Sequence, residues 1–169
     1  MAAQTASATK EVSVGKTNII VEPGKQDLEV THLFDVPREK LFRAMNDPQL
    51  IPQWWGPRYL TTTVDQMEPR PGGSWRFVQQ GASGDQHAFH GVYHGITAPE
   101  RMVMTFEYEG EPGHVALQTI TLEDVGGKTL LREHTVFQSL ADRDGMVQSG
   151  MEVGVNDSME RLEELLAKM

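Results

Sequence analysis

The chain has 169 residues, a length typical of one domain that can bury a sizeable apolar core. Its formal net charge of −9 argues against nucleic acid as a partner, because affinity for phosphate depends on clustered Lys and Arg. The absence of cysteine excludes disulfides and thiol chemistry, and no apolar run approaches the roughly 18 residues that a membrane helix needs.

The first residues differ in composition from the rest. Residues 1–16 are small and polar, with too little apolar surface to offset the entropy lost on ordering. They also lack the charged start and apolar stretch of a secretory signal. We therefore expect a disordered tail over 1–16 and a single domain over 17–169, in a cytoplasmic protein.

The first elements are marked by a change of hydrophobic period. Residues 17–24 predict a short edge strand, and the alternation at 28–35 predicts a full strand. Apolar residues then recur at helical spacing behind Pro37, whose missing N–H is harmless at a helix start. Asp47 is a suitable N-cap for a second, short helix. That helix ends in "PQWWGPR" (52–58), where two tryptophans stand side by side.

From residue 59 onward the pattern is β. Gly- and Pro-rich turns separate six candidate strands, and turns this short favour antiparallel neighbours. The candidate strands are 59–67, 74–79, 87–96, 101–108, 115–123 and 129–138. After them, apolar residues recur every three or four positions from Val147 to Leu166, which predicts one amphipathic helix of about 25 residues.

This order of elements predicts an α+β fold. The apolar face of an antiparallel sheet has to be buried, and the last helix has the length and the apolar stripe to cover it. A bent sheet over one long helix leaves space between them. The double tryptophan is expected near one end of that space.

Six segments carry a resemblance to a known family. They are "FDVPREKLF", "DPQLIPQWWGP", "PGGSWRF", "FHGVYH", "PERMVMTFEYEG" and "GMEVGVNDSMERLEELL". In these motifs the chain resembles the SRPBCC (START and birch-allergen-like) superfamily, and within it the homologues of the heat-shock-protein ATPase activator. The resemblance implies a helix-grip fold, with about seven antiparallel strands wrapped on a C-terminal helix after two short helices, and a hydrophobic cavity in most members. Gly150-Met151 departs from the Gly-Trp pair with which many members begin the last helix.

One face of the predicted strands and last helix is aromatic and rich in methionine, and we expect it to face inward. Together with the resemblance, this face predicts the wall of a ligand cavity. The candidate ligand-binding residues are Trp54, Trp55, Trp75, Phe77, Phe89, Tyr93, Met102, Met104, Phe106, Met151, Val155 and Met159. The alternative is that they pack a solid core, and methionine suits either role. The pattern does not decide which faces of 115–123 and 129–138 point inward.

Three glycines fall inside predicted elements. Gly91, in the middle of a strand, predicts either a bend of the sheet or the close approach of a ligand. Gly150 and Gly154 lie one turn apart in the predicted helix, where each costs about 1 kcal/mol against alanine. They predict either a close helix crossing or room for a ligand.

The histidines do not form a metal site in this reading. His90 and His94 are about 13 Å apart on one strand, and His87 points to the opposite face. His32 and His134 would meet across the sheet if their strands were adjacent. We therefore assign no metal and no cofactor.

No pairing of a nucleophile with a base is evident, so no catalytic residue is assigned. Glu133, Tyr93 and Tyr108 would support acid–base chemistry if they line the cavity. Enzymatic activity of the polyketide-cyclase type is therefore an alternative rather than the leading interpretation.

The leading interpretation is the binding of a small hydrophobic molecule between the sheet and the last helix, by a carrier, buffer or sensor. The alternative from another class is a co-chaperone-like interaction module that stimulates a chaperone ATPase, by analogy with relatives. We expect no nucleic acid partner and no membrane insertion, and a homodimer through an edge strand is a further hypothesis. The identity of the ligand does not follow from the sequence.

Overall fold

The computed structural model describes residues 12–169, so most of the predicted tail lies outside the described residues. At the end of that predicted tail, Val14 forms an isolated parallel bridge with Leu33. The N–H of Gly15 also donates a hydrogen bond to the carbonyl of Leu33 over 3.1 Å. Residues 14 and 15 therefore lie against the main body of the protein.

Eight strands and three α-helices follow one another along the chain. The strands are β1 (Thr17–Ile20), β2 (Asp27–Phe34), β3 (Thr61–Met67), β4 (Ser74–Gln80), β5 (Gln86–Thr97), β6 (Arg101–Tyr108), β7 (Val115–Val125) and β8 (Lys128–Val136). The helices are α1 (Arg38–Asn46), α2 (Leu140–Gln148) and α3 (Met151–Lys168), with a short 3-10 helix at Ile51–Gln53.

The strands form one antiparallel sheet in the order β1-β2-β8-β7-β6-β5-β4-β3. The six-strand meander of the sequence prediction is present as β3 to β8, and β2 pairs along its whole length with β8. The α+β class and the helix-grip architecture are confirmed. The strand count is eight rather than the about seven that the resemblance implies, because the predicted short edge strand is present as β1 and pairs with β2.

The register of the sheet decides which side chains face inward on β7 and β8. Two rows of directly opposed residues cross the sheet from β2 to β6. One row is Val30, Glu133, Ile120 and Met102, and the next is Leu28, Thr135, Gln118 and Met104. Because opposed residues share a face, Gln118 and Glu133 lie on the same side as the predicted inner methionines.

The prediction of one continuous final helix is wrong. The side chain of Ser139 caps α2 by accepting a hydrogen bond from the N–H of Asp142 over 3.1 Å. The helix then stops, and Gly150 adopts φ of +85°, a left-handed conformation that side-chain-bearing residues rarely adopt. The predicted apolar stripe is interrupted at the same break, because Val147, its first predicted member, lies on α2 and is 36% exposed.

Helices α1 and α3 cover the inner face of the sheet at one end. Leu41 and Ala44 of α1 and Leu162 of α3 are fully buried in the same apolar cluster. The predicted second helix is only the 3-10 turn at Ile51–Gln53. Its N-cap is Leu50 and not the predicted Asp47, whose carboxylate instead accepts the N–H of Gln49 over 2.9 Å. Within residues 12–169, no helix has both the length and the apolarity to cross a bilayer.

Candidate ligand-binding cavity

A cavity of about 450 Å³ lies between the inner face of the sheet and helix α3. Its wall combines side chains from β4 to β8, from α3, and from the loop that follows the 3-10 helix. All twelve candidate residues of the sequence analysis line this one cavity. The structure thus brings the predicted set together, while its role in binding stays a prediction.

The two adjacent tryptophans have different surroundings. Trp54 is 5% exposed, and its indole N–H donates to the carbonyl of Ala44 over 3.0 Å, which ties the loop to the end of α1. Trp55 is only partly buried and turns toward the sheet. Its ring meets Phe77 and Phe89 edge-on, with centroid distances of 5.1 and 5.4 Å. Trp54 therefore anchors the segment, and Trp55 closes one end of the cavity.

On the sheet side of this aromatic end, Gly91 leaves the space that the indole of Trp75 occupies. The indole of Trp75 crosses that glycine and donates to the carbonyl of Thr105 over 3.2 Å. A methyl group at position 91 would lie 1.9 Å from that carbonyl oxygen and 2.6 Å from the Trp75 indole nitrogen. Of the two alternatives predicted for Gly91, the close approach of a ligand is not what the structure shows, because the indole of Trp75 fills that space.

Polar side chains occupy the other end of the cavity, on β7 and β8. The amide of Gln118 donates to Oε1 of Glu133 over 3.1 Å. Glu133 is half-buried, and because β8 is an interior strand, its exposed part faces the cavity. Burial raises the pKa of the Glu133 carboxyl to about 7, so both protonation states are populated near neutral pH.

Tyr93 lies between these two ends. It is 3% exposed, and burial raises the pKa of its phenol above the ordinary value. The side chain is therefore a neutral phenol over the whole physiological range. The structure brings Glu133 and Tyr93 to the same cavity but leaves Tyr108, the third predicted acid–base candidate, in an adjoining groove below α2.

The rim of the cavity is polar and accessible. Tyr59 is 72% exposed, and Asp85, Ser149 and Gly150 are also exposed lining residues. His87 joins this rim, with Nδ1 3.0 Å from the hydroxyl of Tyr108. The break between α2 and α3 is thus part of the rim.

The glycines of the last helix have separate roles. Gly150 ends the helical run, whereas Gly154 lies inside α3 and lines the cavity. A methyl group at Gly154 would meet only Pro57, at an ordinary contact distance of 3.8 Å. Gly154 therefore marks room beside the helix rather than a tight crossing.

The remaining histidines do not converge. His90 faces outward, with Nδ1 3.0 Å from Glu109, and His94 is exposed. Strands β2 and β8 are adjacent, but the register places His32 opposite Leu131 and away from His134. Among residues 12–169, no three His, Cys, Asp or Glu side chains are grouped to hold a metal ion.

The outer face of the sheet carries ion pairs instead of an apolar wall. Arg76 binds Glu109 at 2.8 Å, and Arg132 binds Glu29 at 2.9 Å. Their partial exposure makes each pair weakly stabilising. The outer face therefore differs in character from the cavity wall on the opposite side of the same strands.

The sequence analysis missed several polar lining residues. They are Gln79, Gln118, Thr135 and Ser158. Gln79 follows Trp75 and Phe77 at the same strand parity, so alternation was a usable signal for it. Ser158 accepts the N–H of Gly56 over 2.9 Å, a contact between α3 and a distant loop that no local pattern indicates.

Solved structures of bacterial proteins share this fold. A protein from Rhodobacter sphaeroides is 27% identical with a TM-score of 0.82, over 90% of this chain and 100% of that one. Protein Ms6760 from Mycobacterium smegmatis is 19% identical with a TM-score of 0.81, over 89% and 96% of the two chains. The AHSA1 protein from Silicibacter pomeroyi is 23% identical with a TM-score of 0.68, over 83% and 97%.

The sequence itself was compared with families and with curated proteins. The search of the curated proteins found no match. The profile of the family described as "Activator of Hsp90 ATPase homolog 1-like protein" matches residues 35–167, which is most of the chain. That match confirms the resemblance seen in the motifs, and the chain belongs to this family of SRPBCC-type proteins.

Proposed function

We propose that this protein binds one small hydrophobic molecule between the sheet and helix α3, as a carrier, buffer or sensor. The observation that carries the proposal is the cavity of about 450 Å³ with its aromatic and methionine-rich wall. Ligand sites are typically concave and largely apolar, with volumes of about 300 to 1,000 Å³ and a few polar groups that orient the ligand. Glu133, Gln118 and Tyr93 are such groups here.

The driving force would be burial of apolar ligand surface. At about 25 cal/mol per Å², removing roughly 200 Å² from water contributes about 5 kcal/mol, before the loss of ligand freedom is subtracted. Methionines at positions 102, 104, 151 and 159 add adaptability, because an unbranched thioether adjusts to different shapes. The wall therefore suits a range of related hydrophobic molecules.

Two valines on α3 provide a matched test. Val155 lines the cavity, whereas Val153 on the same helix is 55% exposed. We expect Val155→Trp to fill the cavity and to weaken binding of the uncharged fluorescent probe N-phenyl-1-naphthylamine by roughly tenfold, which is about 1.4 kcal/mol. Val153→Trp adds the same indole outside the cavity and should leave affinity within about twofold.

Both variants are first checked for cooperative thermal unfolding by circular dichroism, so that a misfolded protein is not mistaken for a filled cavity. Equal probe affinity in Val155→Trp and the parent protein would remove the basis of the proposal. So would a parent protein that binds no probe at all.

A second candidate, stimulation of a chaperone ATPase, is supported by the family description and by one feature of the outer face. Leu117 and Val136 lie directly opposite each other there and are 44% and 38% exposed. Asp27 lies opposite Val136 on β2 and pairs with His134, which limits the apolar patch on that side. Under this function, Leu117→Glu would abolish stimulation of an Hsp90-type ATPase in a coupled assay while leaving probe binding unchanged. Equal stimulation by both proteins, or none by either, would discard it.

A further inference from the structure

Glu133 is a carboxylate without a cationic partner in the cavity. Its neighbours along the strand, Arg132 and His134, turn to the outer face and pair with Glu29 and Asp27 at 2.9 and 2.8 Å. The one hydrogen bond that the described residues give this carboxylate comes from the neutral amide of Gln118 and goes to Oε1.

The other groups around Glu133 do not supply a positive charge either. The inner side chains next to it are Val30 on β2 and Ile120 on β7, and α3 contributes only uncharged side chains to the cavity wall. Besides Glu133, the titratable groups that line the same cavity are Tyr93, which burial keeps neutral, and Tyr59, Asp85 and His87 at the rim. The interior of the cavity therefore carries at most one charge, and that charge is negative.

An unpaired carboxylate in an apolar cavity is costly unless a charged partner is supplied. Outer-face carboxylates such as Glu29, Asp27 and Glu109 each have a basic partner within the chain. At Glu133, by contrast, the carboxylate is open to a positively charged partner only from the cavity side.

We propose that the polar end of the cavity recognises a protonated amine, so that the ligand is a hydrophobic amine whose ammonium group pairs with Glu133. This inference rests on the proposed ligand-binding function and names the chemical class of the ligand. Gln118 holds one carboxylate oxygen in place, and the ammonium group binds the carboxylate from the cavity side.

The two ends of the cavity set the form of such a ligand. The aromatic end is built around β4 and β5, where Trp55, Phe77 and Phe89 meet edge-on. From β5 to β8 there are three strand spacings, or about 14 Å. A hydrophobic body of about ten carbons spans that distance, with its amine at β8 and its apolar end among the aromatic rings.

Three decyl compounds that differ only in the head group test this assignment: decylamine, 1-decanol and decanoate. Binding is measured by isothermal titration calorimetry at pH 8 and at pH 5.5. At pH 8 we expect one molecule of decylamine to bind roughly tenfold more tightly than decanol, with decanoate the weakest. At pH 5.5 Glu133 is protonated while the amine is still charged, so the preference for decylamine over decanol should fall to within about threefold.

The variant Glu133→Gln keeps the shape of the side chain and removes the charge. It should abolish the preference for decylamine at pH 8 while keeping decanol affinity within about twofold of the parent. Glu123→Gln, at an exposed position of β7, is the matched control for nonspecific attraction of amines to a chain of net charge −9. His87→Gln controls for the one histidine at the rim and should leave the pH response in place.

Each result distinguishes this inference from the function on which it rests. Equal affinities for decylamine and decanol at pH 8, both weakened by Val155→Trp, would overturn the amine assignment and leave the cavity function standing. Persistence of the decylamine preference in Glu133→Gln would also overturn it. If none of the three compounds binds, the proposed function fails together with the inference.

Discussion

The two faces of the sheet treat their carboxylates in opposite ways. On the outer face, Glu109 lies 2.8 Å from Arg76, and that arginine, through its hydrogen bond, lowers the pKa of the Glu109 carboxyl. On the inner face, Glu133 has only the amide of Gln118, and burial raises the pKa of the carboxyl to about 7. Charge is thus compensated where water already screens it, and it is left uncompensated where water is scarce.

This difference indicates what each face is for. Outer ion pairs contribute little to stability, and their main effect is a charged surface around the few exposed apolar side chains. An uncompensated inner carboxylate lowers stability, so its presence is better explained by a ligand than by folding. The inner face of the sheet combines this charge, at one end of the cavity, with a closely packed aromatic wall at the other.

The largest effect is expected from a substitution at Gly91, which lies next to the aromatic wall of the cavity. Gly91→Ala places a methyl group 1.9 Å from the carbonyl oxygen of Thr105 and 2.6 Å from the Trp75 indole nitrogen. Because these atoms belong to backbone and to a packed ring, we expect a loss of about 3 kcal/mol in the free energy of unfolding. Urea denaturation measures this loss.

The control for that substitution lies on the same strand. A methyl group at Gly95 would meet nothing within 4 Å, so Gly95→Ala should change the free energy of unfolding by less than about 0.5 kcal/mol. Equal stabilities of the two alanine variants would show that the aromatic wall is not packed as described.

A smaller effect is expected at Glu133 and depends on pH. The folded carboxyl has a pKa of about 7 against an ordinary value of 4.5, so the folded state binds more protons than the unfolded state between these values. The parent protein therefore loses stability on this account as pH rises from 4.5 to 7, by about 1 to 2 kcal/mol, because water screens the half-buried side chain and reduces the roughly 3 kcal/mol of a fully buried carboxyl. Glu133→Gln removes the loss, and urea denaturation should find it more stable than the parent at pH 8 and similar near pH 4.5.

The outer face gives the opposite sign and the smallest effect. Since Arg76 lowers the pKa of Glu109, that carboxylate stabilises the fold above the unfolded pKa, and its contribution is lost as pH falls through the folded one. Glu109→Gln should cost less than about 1 kcal/mol at pH 8 and nothing in acid. If the two Glu→Gln variants responded to pH in the same direction, the contrast between the faces would be wrong.

The sequence was sufficient for the inner faces of β4, β5 and β6. Trp75 and Phe77, Phe89 and Tyr93, and Met102 and Met104 keep the same parity within their strands, and a two-residue period translates directly into one face of a sheet. Their convergence on one cavity follows from that period and from the position of the last helix.

The polar end of the cavity was beyond the sequence because it depends on register. Gln118 and Glu133 are fifteen residues apart and meet through the pairing of β7 with β8. Both faces of β8 carry buried apolar side chains, such as Leu130 and Leu131, so alternation does not mark its inner face.

The break between α2 and α3 was missed for a different reason. A glycine lowers the stability of a helix by only about 1 kcal/mol relative to alanine, so it does not by itself predict a break in a long apolar stripe. The left-handed φ of Gly150 is set by tertiary packing and not by local propensity. It places the end of α2 at the rim of the cavity.

The most direct test of the central claim is to observe where a hydrophobic molecule binds. Methionine methyl NMR during titration with 1-decanol reports on both lining and distant positions. We expect chemical shift changes at Met104, Met151 and Met159, which line the cavity, and none at Met67 or Met169, which do not. Changes at Met67 and Met169 of the same size, or no change at the three lining methionines, would contradict the account.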